Sequence, residues 1–326
     1  MAGADLYARS VRRVSAEPAQ SVTPCPVCGC ESARPRVVTE PDRMRVVVCA
    51  RCGLGRVYPL PDAEALRGYY PDEYYGEPGS KFQGLIERLV RLVGSRHIGF
   101  LSRSLARGAR VLDVGCGRGV ILGALADRGF EVHGVEVSAE AARGADPRAK
   151  IRIAPRLADA GFDACFFDEV VIWHVLEHLA DPRETLAEAR RILRPGGRLV
   201  VAVPNFSSAQ ARWSGAAWFH LDLPRHLFHF PVSALRELVE ATGLEIESEH
   251  HFSLRQNPFG WIQSALNLWP GLPRNGLYRL LHRRAAGEGA GFGAWTRVRL
   301  WLSLALLAGP ALAASLLEAE IGRAHV

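Results

Sequence analysis

The sequence lacks both a concentrated basic segment and an apolar N-terminus. Its formal net charge is +6, but the basic residues are mostly arginines spread along the chain, without a block of five or six. Such dispersed charge favours anionic substrates or surfaces and does not by itself indicate nucleic acid. The first twenty residues include Arg9, Arg12, Arg13 and Glu17 and no continuous apolar stretch. We therefore expect no signal peptide there and interpret residues 1–20 as a disordered tail.

A disulfide framework is also not expected, although seven cysteines occur. Four of them form two Cys-x-x-Cys pairs, each followed directly by a glycine: Cys25 with Cys28, and Cys49 with Cys52. Two such pairs are typical of a zinc ribbon, whose four thiolates bind one ion tetrahedrally and leave no open position. Cys30 is a rival ligand, but it lacks the matching spacing. We predict a structural Zn²⁺ in residues 21–60 and a reducing, cytoplasmic location.

Residues 110–120 organise the rest of the chain. An apolar, β-branched run is followed by Asp113 and by glycines at alternate positions (Gly115, Gly117 and Gly119), and an apolar helical pattern begins directly afterwards. This order predicts a strand, a tight turn and a helix. Glycines allow the sharp turn and let a ligand approach where a Cβ would collide, and the helix N-terminus presents unpaired N–H groups.

A second predicted strand, residues 130–137, carries Glu136, 23 positions after Asp113. A carboxylate at a strand tip can accept hydrogen bonds from both ribose hydroxyls. The glycine spacing differs from the Gly-x-Gly-x-x-Gly of dinucleotide sites, and no Gly-Lys-Ser/Thr follows, which argues against an NTP-binding loop. Together the turn and the acid predict a site for a nucleoside-like cofactor.

With these residues the chain resembles the class I S-adenosylmethionine-dependent methyltransferases. Their first motif matches Asp113 to Gly119, their ribose-binding acid matches Glu136, and further matches follow in order between about Gly108 and Leu254: residues 167–168, 173–178, 193–197 and 204–205. The resemblance implies an α/β fold with a doubly wound, Rossmann-like, seven-stranded sheet and S-adenosylmethionine as cofactor. It implies these cofactor-binding residues: Asp113, Gly115, Cys116, Gly117, Gly119, Glu136, Val137, Asp159 and Trp173.

One position departs from the family pattern. The acid that usually contacts adenine falls at Arg156, which cannot accept a hydrogen bond from the adenine amino group. Asp159 is included above because a shifted loop would allow it to substitute.

Candidate catalytic residues follow the fourth predicted strand and recur in a polar, histidine-dense loop. His174 and His178 lie at the strand tip, and His226 lies in the loop. His178 is our first choice of base, with a structural histidine as the alternative for each. Glu177 either orients His178 or helps bind a metal. The strand tip lacks the Asn/Asp-Pro-Pro-aromatic tetrapeptide of the family members that methylate nucleobase amines, which argues against DNA and disfavours RNA.

A ribbon ahead of such a core is also the layout of deoxysugar C-methyltransferases, which this chain resembles over its front two modules. The first hypothesis is therefore methyl transfer to an oxygen or carbon of a small molecule, with a sugar or glycan precursor (a nucleotide sugar or a glycolipid precursor) favoured. The alternatives are an RNA methyltransferase that contacts RNA through its ribbon and a non-catalytic, cofactor-binding scaffold. The oligomeric state is not indicated.

The remaining segments are assigned by composition and periodicity. Residues 61–107 are predicted to form an aromatic linker, with Tyr74 and Tyr75 as pocket or packing residues, and an amphipathic helix. Residues 108–254 form the cofactor-binding domain, including a cap loop at 206–230 and a strand at 244–250. Residues 255–326 form an apolar helical region.

Leu300 to Leu317 contains no charge, follows Arg297 and Arg299, and has Pro310 in its middle. We expect a packed helical hairpin or an interfacial helix rather than a membrane span, with membrane-surface contact through residues 295–318 and a membrane-associated location as the alternative to a purely cytoplasmic one. The family's final antiparallel strand has no counterpart here, and residues 320–326 resemble a translated adapter. We therefore expect a truncated C-terminus.

Overall fold

An antiparallel sheet forms the N-terminal part of the protein. The structure, a computed structural model, describes residues 10–13, 20–40, 44–69, 98–103, 105–254, 256–281 and 292–324. The first five strands are β1 (Ser10–Arg13), β2 (Gln20–Ser21), β3 (Ser32–Glu40), β4 (Arg45–Cys49) and β5 (Gly55–Tyr58). β1 pairs with β3 and β3 with β4, which in turn pairs with β5. A short helix, α1 (Ala63–Gly68), follows.

The prediction of a disordered tail over residues 1–20 is wrong for Ser10–Arg13. This segment pairs with β3 in antiparallel register, from Ser10 opposite Glu40 to Arg13 opposite Val37. Backbone hydrogen bonding to a neighbouring strand orders a segment whose composition alone suggests none. The prediction failed because a strand pairing depends on a partner distant in sequence.

The second sheet is parallel and carries the glycine-rich turn. Its elements in chain order are β6 (Arg110–Val114), α2 (Val120–Ala126), β7 (Glu131–Glu136), β8 (Lys150–Ile153), β9 (Phe167–Trp173), α3 (Pro182–Ile192) and β10 (Leu193–Ala202). The strand order is β10-β9-β6-β7-β8, with every pair parallel. Residues 111–114 and 169–172 are buried, as expected for central parallel strands. The carboxyl ends of all five strands therefore lie along one edge.

Five strands form this sheet in the described part of the chain, against the seven predicted. The segment 244–250, predicted as a strand, has no regular structure and is mostly exposed. No strand in the described residues pairs with it, so the prediction of a strand there is wrong. The predicted fold class, an α/β Rossmann-like fold with a central parallel sheet, is confirmed at that coarser level.

The elements that follow the parallel sheet are short until the C-terminus. They are α4 (Ala209–Ser214), β11 (Phe228–His229), α5 (Val232–Glu240), α6 (Asn257–Leu268), α7 (Gly276–Leu281) and α8 (Ala294–Ala324). β11 pairs antiparallel with β5, with Phe228 opposite Arg56 and His229 opposite Gly55. The cap loop thus extends the N-terminal sheet.

The two sheets share one hydrophobic core. Cys25, Cys49 and Leu54 of the N-terminal part belong to the same buried cluster as Ile172 and Leu176. Arg183 of α3 also donates hydrogen bonds to the carbonyls of Pro26 and Val27, at 2.8 and 2.6 Å. The N-terminal sheet is therefore packed onto the parallel-sheet domain.

The C-terminal region is helical, as predicted, but the expected hairpin within it is wrong. One helix, α8, runs through Pro310. Leu300 and Ala311 pack against α6 and α7, whereas Trp295 and Leu306 are 71% and 75% exposed. By length and composition, Ala294–Ala319 could cross a membrane, with a mean hydropathy of 1.9 and only 17% of that window buried. This is weak evidence for a span.

Two predictions from the linker lie outside the described residues. Tyr74, Tyr75 and most of the amphipathic helix fall there, and the described residues 98–101 of that stretch are helical.

Candidate functional site

The glycine-rich loop between β6 and α2 packs directly against the tip of β9. Gly115, Gly117 and Gly119 have φ values of +70°, +49° and +63°, a region that residues with a Cβ rarely adopt. A Cβ at Gly115 would lie 2.6 Å from Cγ2 of Val175. A Cβ at Gly117 would meet no atom within 4 Å. The loop is therefore closed on the side of Val175 and open in front of Gly117.

Glu136, at the end of β7, is bound to the same loop. Its Oε2 accepts a hydrogen bond from the Gly117 N–H at 2.9 Å, and its Oε1 accepts one from the Val137 N–H at 2.8 Å. The residue is 7% exposed. Oε1 also accepts a longer hydrogen bond from the Ser138 N–H, at 3.4 Å. A carboxylate has about four lone-pair directions, so one remains, on Oε2, to accept a hydrogen bond from a ribose hydroxyl. Glu136 and the open space at Gly117 fit the ribose side of a nucleoside cofactor.

Asp113, at the end of β6, and Cys116, in the loop itself, are both buried. Burial, and secondarily the charge of Glu136, raises the pKa of Asp113 to about 7. Burial also raises the pKa of the Cys116 thiol. A Cβ at Gly134 would lie 2.6 Å from the Cys116 sulfur, so this glycine in β7 makes room for the thiol. Both side chains therefore belong to the protein interior rather than to the open side of the loop.

Asp159 is ion-paired with the residue that it was expected to replace. The Arg156 guanidinium donates to both Asp159 carboxylate oxygens, at 3.0 and 2.8 Å, and to Glu184 at 3.0 Å. These hydrogen bonds lower the pKa of Asp159. Its assignment to adenine stays a prediction. Among the other predicted cofactor residues, Val137 is 58% exposed and Trp173 is half-buried at the end of β9.

Four of the predicted catalytic side chains come together beyond β9. His174 has a φ of +53°, a conformation that is sparsely populated for non-glycine residues and clusters at functional sites. Its Nδ1 lies 3.3 Å from Oε1 of Glu177. Burial raises the pKa of Glu177, but the hydrogen bond with His174 and the nearby histidines outweigh it and lower that pKa to about 2. Glu177 is therefore a buried carboxylate.

The cap loop brings His226 to this group. The Glu177 carbonyl accepts a hydrogen bond from the Leu227 N–H at 2.8 Å. Nδ1 of His178 lies 3.0 Å from the carbonyl oxygen of Arg225, and the rings of His178 and His226 are 4.7 Å apart, edge to face. The sequence placed His226 in this loop, and the structure brings it to the β9 tip.

The cap loop also supplies polar residues that no predicted role included: His220, Asp222, Arg225 and His229. Burial lowers the pKa values of His220 and His229 to about 4 and, assisted by His178, that of His226 to about 3. These imidazoles are neutral at physiological pH. The density of histidines between residues 220 and 229 was the signal that pointed to them.

The four predicted zinc ligands form a group in the N-terminal part of the protein. The sulfur atoms of Cys25 and Cys52 are 3.6 Å apart, those of Cys28 and Cys49 are 3.5 Å apart, and all four lie within 4.8 Å of one another. Tetrahedral ligands ~2.3 Å from a zinc ion are about 3.8 Å apart. Cys30 instead contacts Ser32. The arrangement is compatible with zinc bound by the predicted set.

Residues 86–249 match the protein family described as "Methyltransferase domain". The ubiquinone biosynthesis O-methyltransferase of Maricaulis maris is 30% identical over 193 residues, which cover 53% of this chain and 75% of that protein. A Mycolicibacterium smegmatis protein named "Probable S-adenosylmethionine-dependent methyltransferase" is 34% identical over 149 residues, or 43% of this chain and 53% of that protein. The chain thus spans three quarters of the first relative and about half of the second.

Among solved structures, a chain of the complex between the Haloferax volcanii Trm112 methyltransferase activator and a methyltransferase is 24% identical to this one. Its TM-score is 0.44, and the match covers 52% of this chain and 76% of that one. The family match contains the glycine loop, Glu136, the cap loop and the side chains at the β9 tip that we call the histidine group: His174, Glu177, His178 and His226.

Proposed function

The chain belongs to the methyltransferase domain family, and from this premise we propose that it transfers a methyl group from S-adenosylmethionine to an oxygen of a small molecule. The observation that carries the proposal is the contact between Gly115 and Val175. It supports a nucleoside site that lies beside the histidine group at the end of the neighbouring strand, β9. Donor and acceptor can therefore lie next to each other at the carboxyl edge of the sheet.

The protein's main task in this reaction is to orient two substrates. S-adenosylmethionine supplies a methyl group that its sulfonium already makes electrophilic. Glu136 and Gly117 hold the ribose side, and Val175 fixes the distance between the glycine loop and the acceptor side. The group His174, Glu177, His178 and His226 faces the acceptor and assists the loss of its proton. His178 is the first choice of base, because it is less buried than His226.

We propose oxygen rather than carbon as the atom that accepts the methyl group, because the Maricaulis maris relative is named an O-methyltransferase. The favoured acceptor class remains a sugar or glycan precursor, such as a nucleotide sugar or a glycolipid precursor, as the ribbon-plus-core layout suggests. We further propose that Cys25, Cys28, Cys49 and Cys52 bind one structural Zn²⁺, since four thiolates fill its coordination sphere.

Membrane-surface contact through residues 295–318 belongs to the same proposal, with the enzyme in the cytoplasm. One side of α8 packs on the protein, and the other exposes Trp301, Leu302, Leu306, Leu316 and Leu317. A helix that is packed on one side and apolar on the other suits a position in the membrane interface. Such a position would bring a lipid-borne acceptor to the enzyme.

A screen of labelled methyl transfer tests the function. The purified protein is incubated with methyl-labelled S-adenosylmethionine and, separately, nucleotide sugars, glycolipid precursors, small hydroxylated aromatics and RNA. We expect label in at least one small-molecule acceptor. Transfer to RNA alone would replace the proposal with the RNA methyltransferase, and cofactor binding without transfer to any acceptor would replace it with the scaffold.

A further inference from the structure

Three side chains of the acceptor side converge on one point. Glu177, His178 and His226 each place one potential ligand atom so that the three atoms lie within 4.8 Å of one another. Two come from the tip of β9 and the third from the cap loop, 48 residues later in the chain. The backbone hydrogen bond between Glu177 and Leu227 fixes these two segments against each other.

One carboxylate oxygen in this group has no partner among the described residues. Glu177 is 1% exposed, its Oε1 accepts from His174, and its Oε2 is buried without a hydrogen bond. Leaving a charged oxygen buried and unpaired is costly. A structural role for the two histidines explains how their rings are held but not why this oxygen is buried and unpaired.

The histidine rings are oriented as metal ligands usually are. Nδ1 of His178 faces the Arg225 carbonyl at 3.0 Å, and Nδ1 of His226 faces the His220 carbonyl at 2.8 Å. A carbonyl only accepts, so both rings carry their proton on Nδ1 and have a lone pair on Nε2. Metal-binding histidines commonly donate their second N–H to a backbone carbonyl in this way.

We propose that Glu177, His178 and His226 bind one divalent transition-metal ion, which in turn binds the oxygen of the methyl acceptor. Two imidazoles and one carboxylate suit Zn²⁺, Mn²⁺, Co²⁺ or Fe²⁺ better than Ca²⁺ or Mg²⁺, which prefer oxygen ligands. Three protein ligands leave positions open for water or substrate. This site is separate from the four-cysteine group.

The inference rests on the proposed function and gives the histidine group a defined task. A bound cation lowers the pKa of a coordinated hydroxyl. The acceptor hydroxyl then loses its proton to solvent water, its oxygen forms the bond to the methyl carbon, and the carbon–sulfur bond of the donor breaks. In the metal-bound enzyme, His178 and His226 are ligands, and His174 keeps Glu177 in position.

Binding of Mn²⁺ to the full-length protein tests the site without an activity assay. Electron paramagnetic resonance measures the concentration of free Mn²⁺, and the bound fraction follows by difference from the total. Mn²⁺ competes poorly with zinc for thiolates, so it does not disturb the four-cysteine group. We expect one Mn²⁺ per chain in the wild type. Glu177→Gln and His226→Ala should each weaken binding at least tenfold, while S-adenosylmethionine binding shows that both variants are folded.

Glu188→Gln is the matched control, because Glu188 lies on α3 and pairs with Arg191. It should bind Mn²⁺ as the wild type does. Failure of the wild type to bind Mn²⁺, or equal binding by Glu177→Gln, would overturn the inference and leave the methyltransferase proposal intact. Mn²⁺ binding that is lost in the variants supports the site even if the acceptor screen fails, so the two failures are distinguishable.

Discussion

Glu136 links the cofactor to the backbone of the glycine loop, because its two carboxylate oxygens accept from the N–H groups of Gly117 and Val137. Glu136→Ala should reduce S-adenosylmethionine affinity about tenfold or more, since the charge-assisted hydrogen bond to the ribose is lost and the loop is released. Calorimetric titration measures this. Glu131→Ala, at the opposite end of the same strand, is the control, and undiminished affinity of Glu136→Ala would refute the ribose assignment.

His178 is tested by turnover once an acceptor is known. His178→Ala should lower turnover by roughly a hundredfold or more, because both roles considered for it, base and metal ligand, act on the acceptor. Cofactor affinity should change little, since His178 lies beyond β9 rather than on the glycine loop. Turnover equal to that of the wild type would make His178 a structural residue.

Asp113 makes stability depend on pH. Its pKa is about 7 in the folded protein and about 3.9 in an unfolded chain. The folded state therefore holds the Asp113 proton more tightly than the unfolded chain does. The contribution of this protonation to the free energy of unfolding is complete below about pH 4 and is lost as the pH rises to about 7. Each unit of difference in pKa corresponds to about 1.4 kcal/mol.

Asp113→Asn removes this titration. The variant's free energy of unfolding, relative to that of the wild type, should therefore rise between pH 5 and pH 8. Urea unfolding at both pH values measures it, with Asp127→Asn, whose side chain is 71% exposed, as the comparison. A difference that does not change with pH would show that Asp113 is not buried as a neutral acid.

At the scale of elements, the pairing of β11 with β5 couples the four-cysteine group to the acceptor side. The Val57 N–H also donates to the Leu227 carbonyl at 2.9 Å. The cap loop that carries His226 is therefore held in part by the N-terminal sheet. Loss of a metal from the four-cysteine group should therefore disturb the structure around the histidine group more than that of the glycine loop.

Cys49→Ser tests this coupling. A structural metal supplies folding energy to the module that binds it, so hydrogen exchange should increase in residues 21–60 and in the cap loop around residues 220–230. S-adenosylmethionine affinity should stay within about twofold of the wild type, because the glycine loop lies on other strands. Elemental analysis should find one zinc fewer per chain, and Cys30→Ser should retain the zinc. Unchanged exchange in the cap loop would show that the two regions are independent.

At the scale of the whole molecule, α8 exposes an apolar surface that none of the residues described by the structure covers. Burying one leucine side chain in a membrane interface contributes about 1.5–3 kcal/mol, and about 1.4 kcal/mol is a tenfold change in affinity. Leu306→Glu should therefore reduce binding to anionic lipid vesicles tenfold or more in a co-sedimentation assay. Ile246→Glu, exposed outside α8, should bind as the wild type does. If the wild type does not bind vesicles, the proposed membrane contact is wrong.

The sequence by itself determined the features that depend on local spacing. The strands β6, β7 and β9, the turn between β6 and α2, and the cysteine set were all predicted, because strand, turn and ligand patterns repeat over a few residues. It also placed Glu136 at a strand tip. A side chain's position relative to its own element follows from the backbone, so such residues can be named before the fold is known.

Only the tertiary structure decided which elements are neighbours. β1 became a strand because β3 is beside it, and residues 244–250 did not become one because no described strand pairs with them. Likewise, a carboxylate oxygen of Glu177 lies near His226 because the cap loop folds back over β9. Contacts between residues tens of positions apart depend on how the whole chain packs, so a local sequence pattern does not predict them.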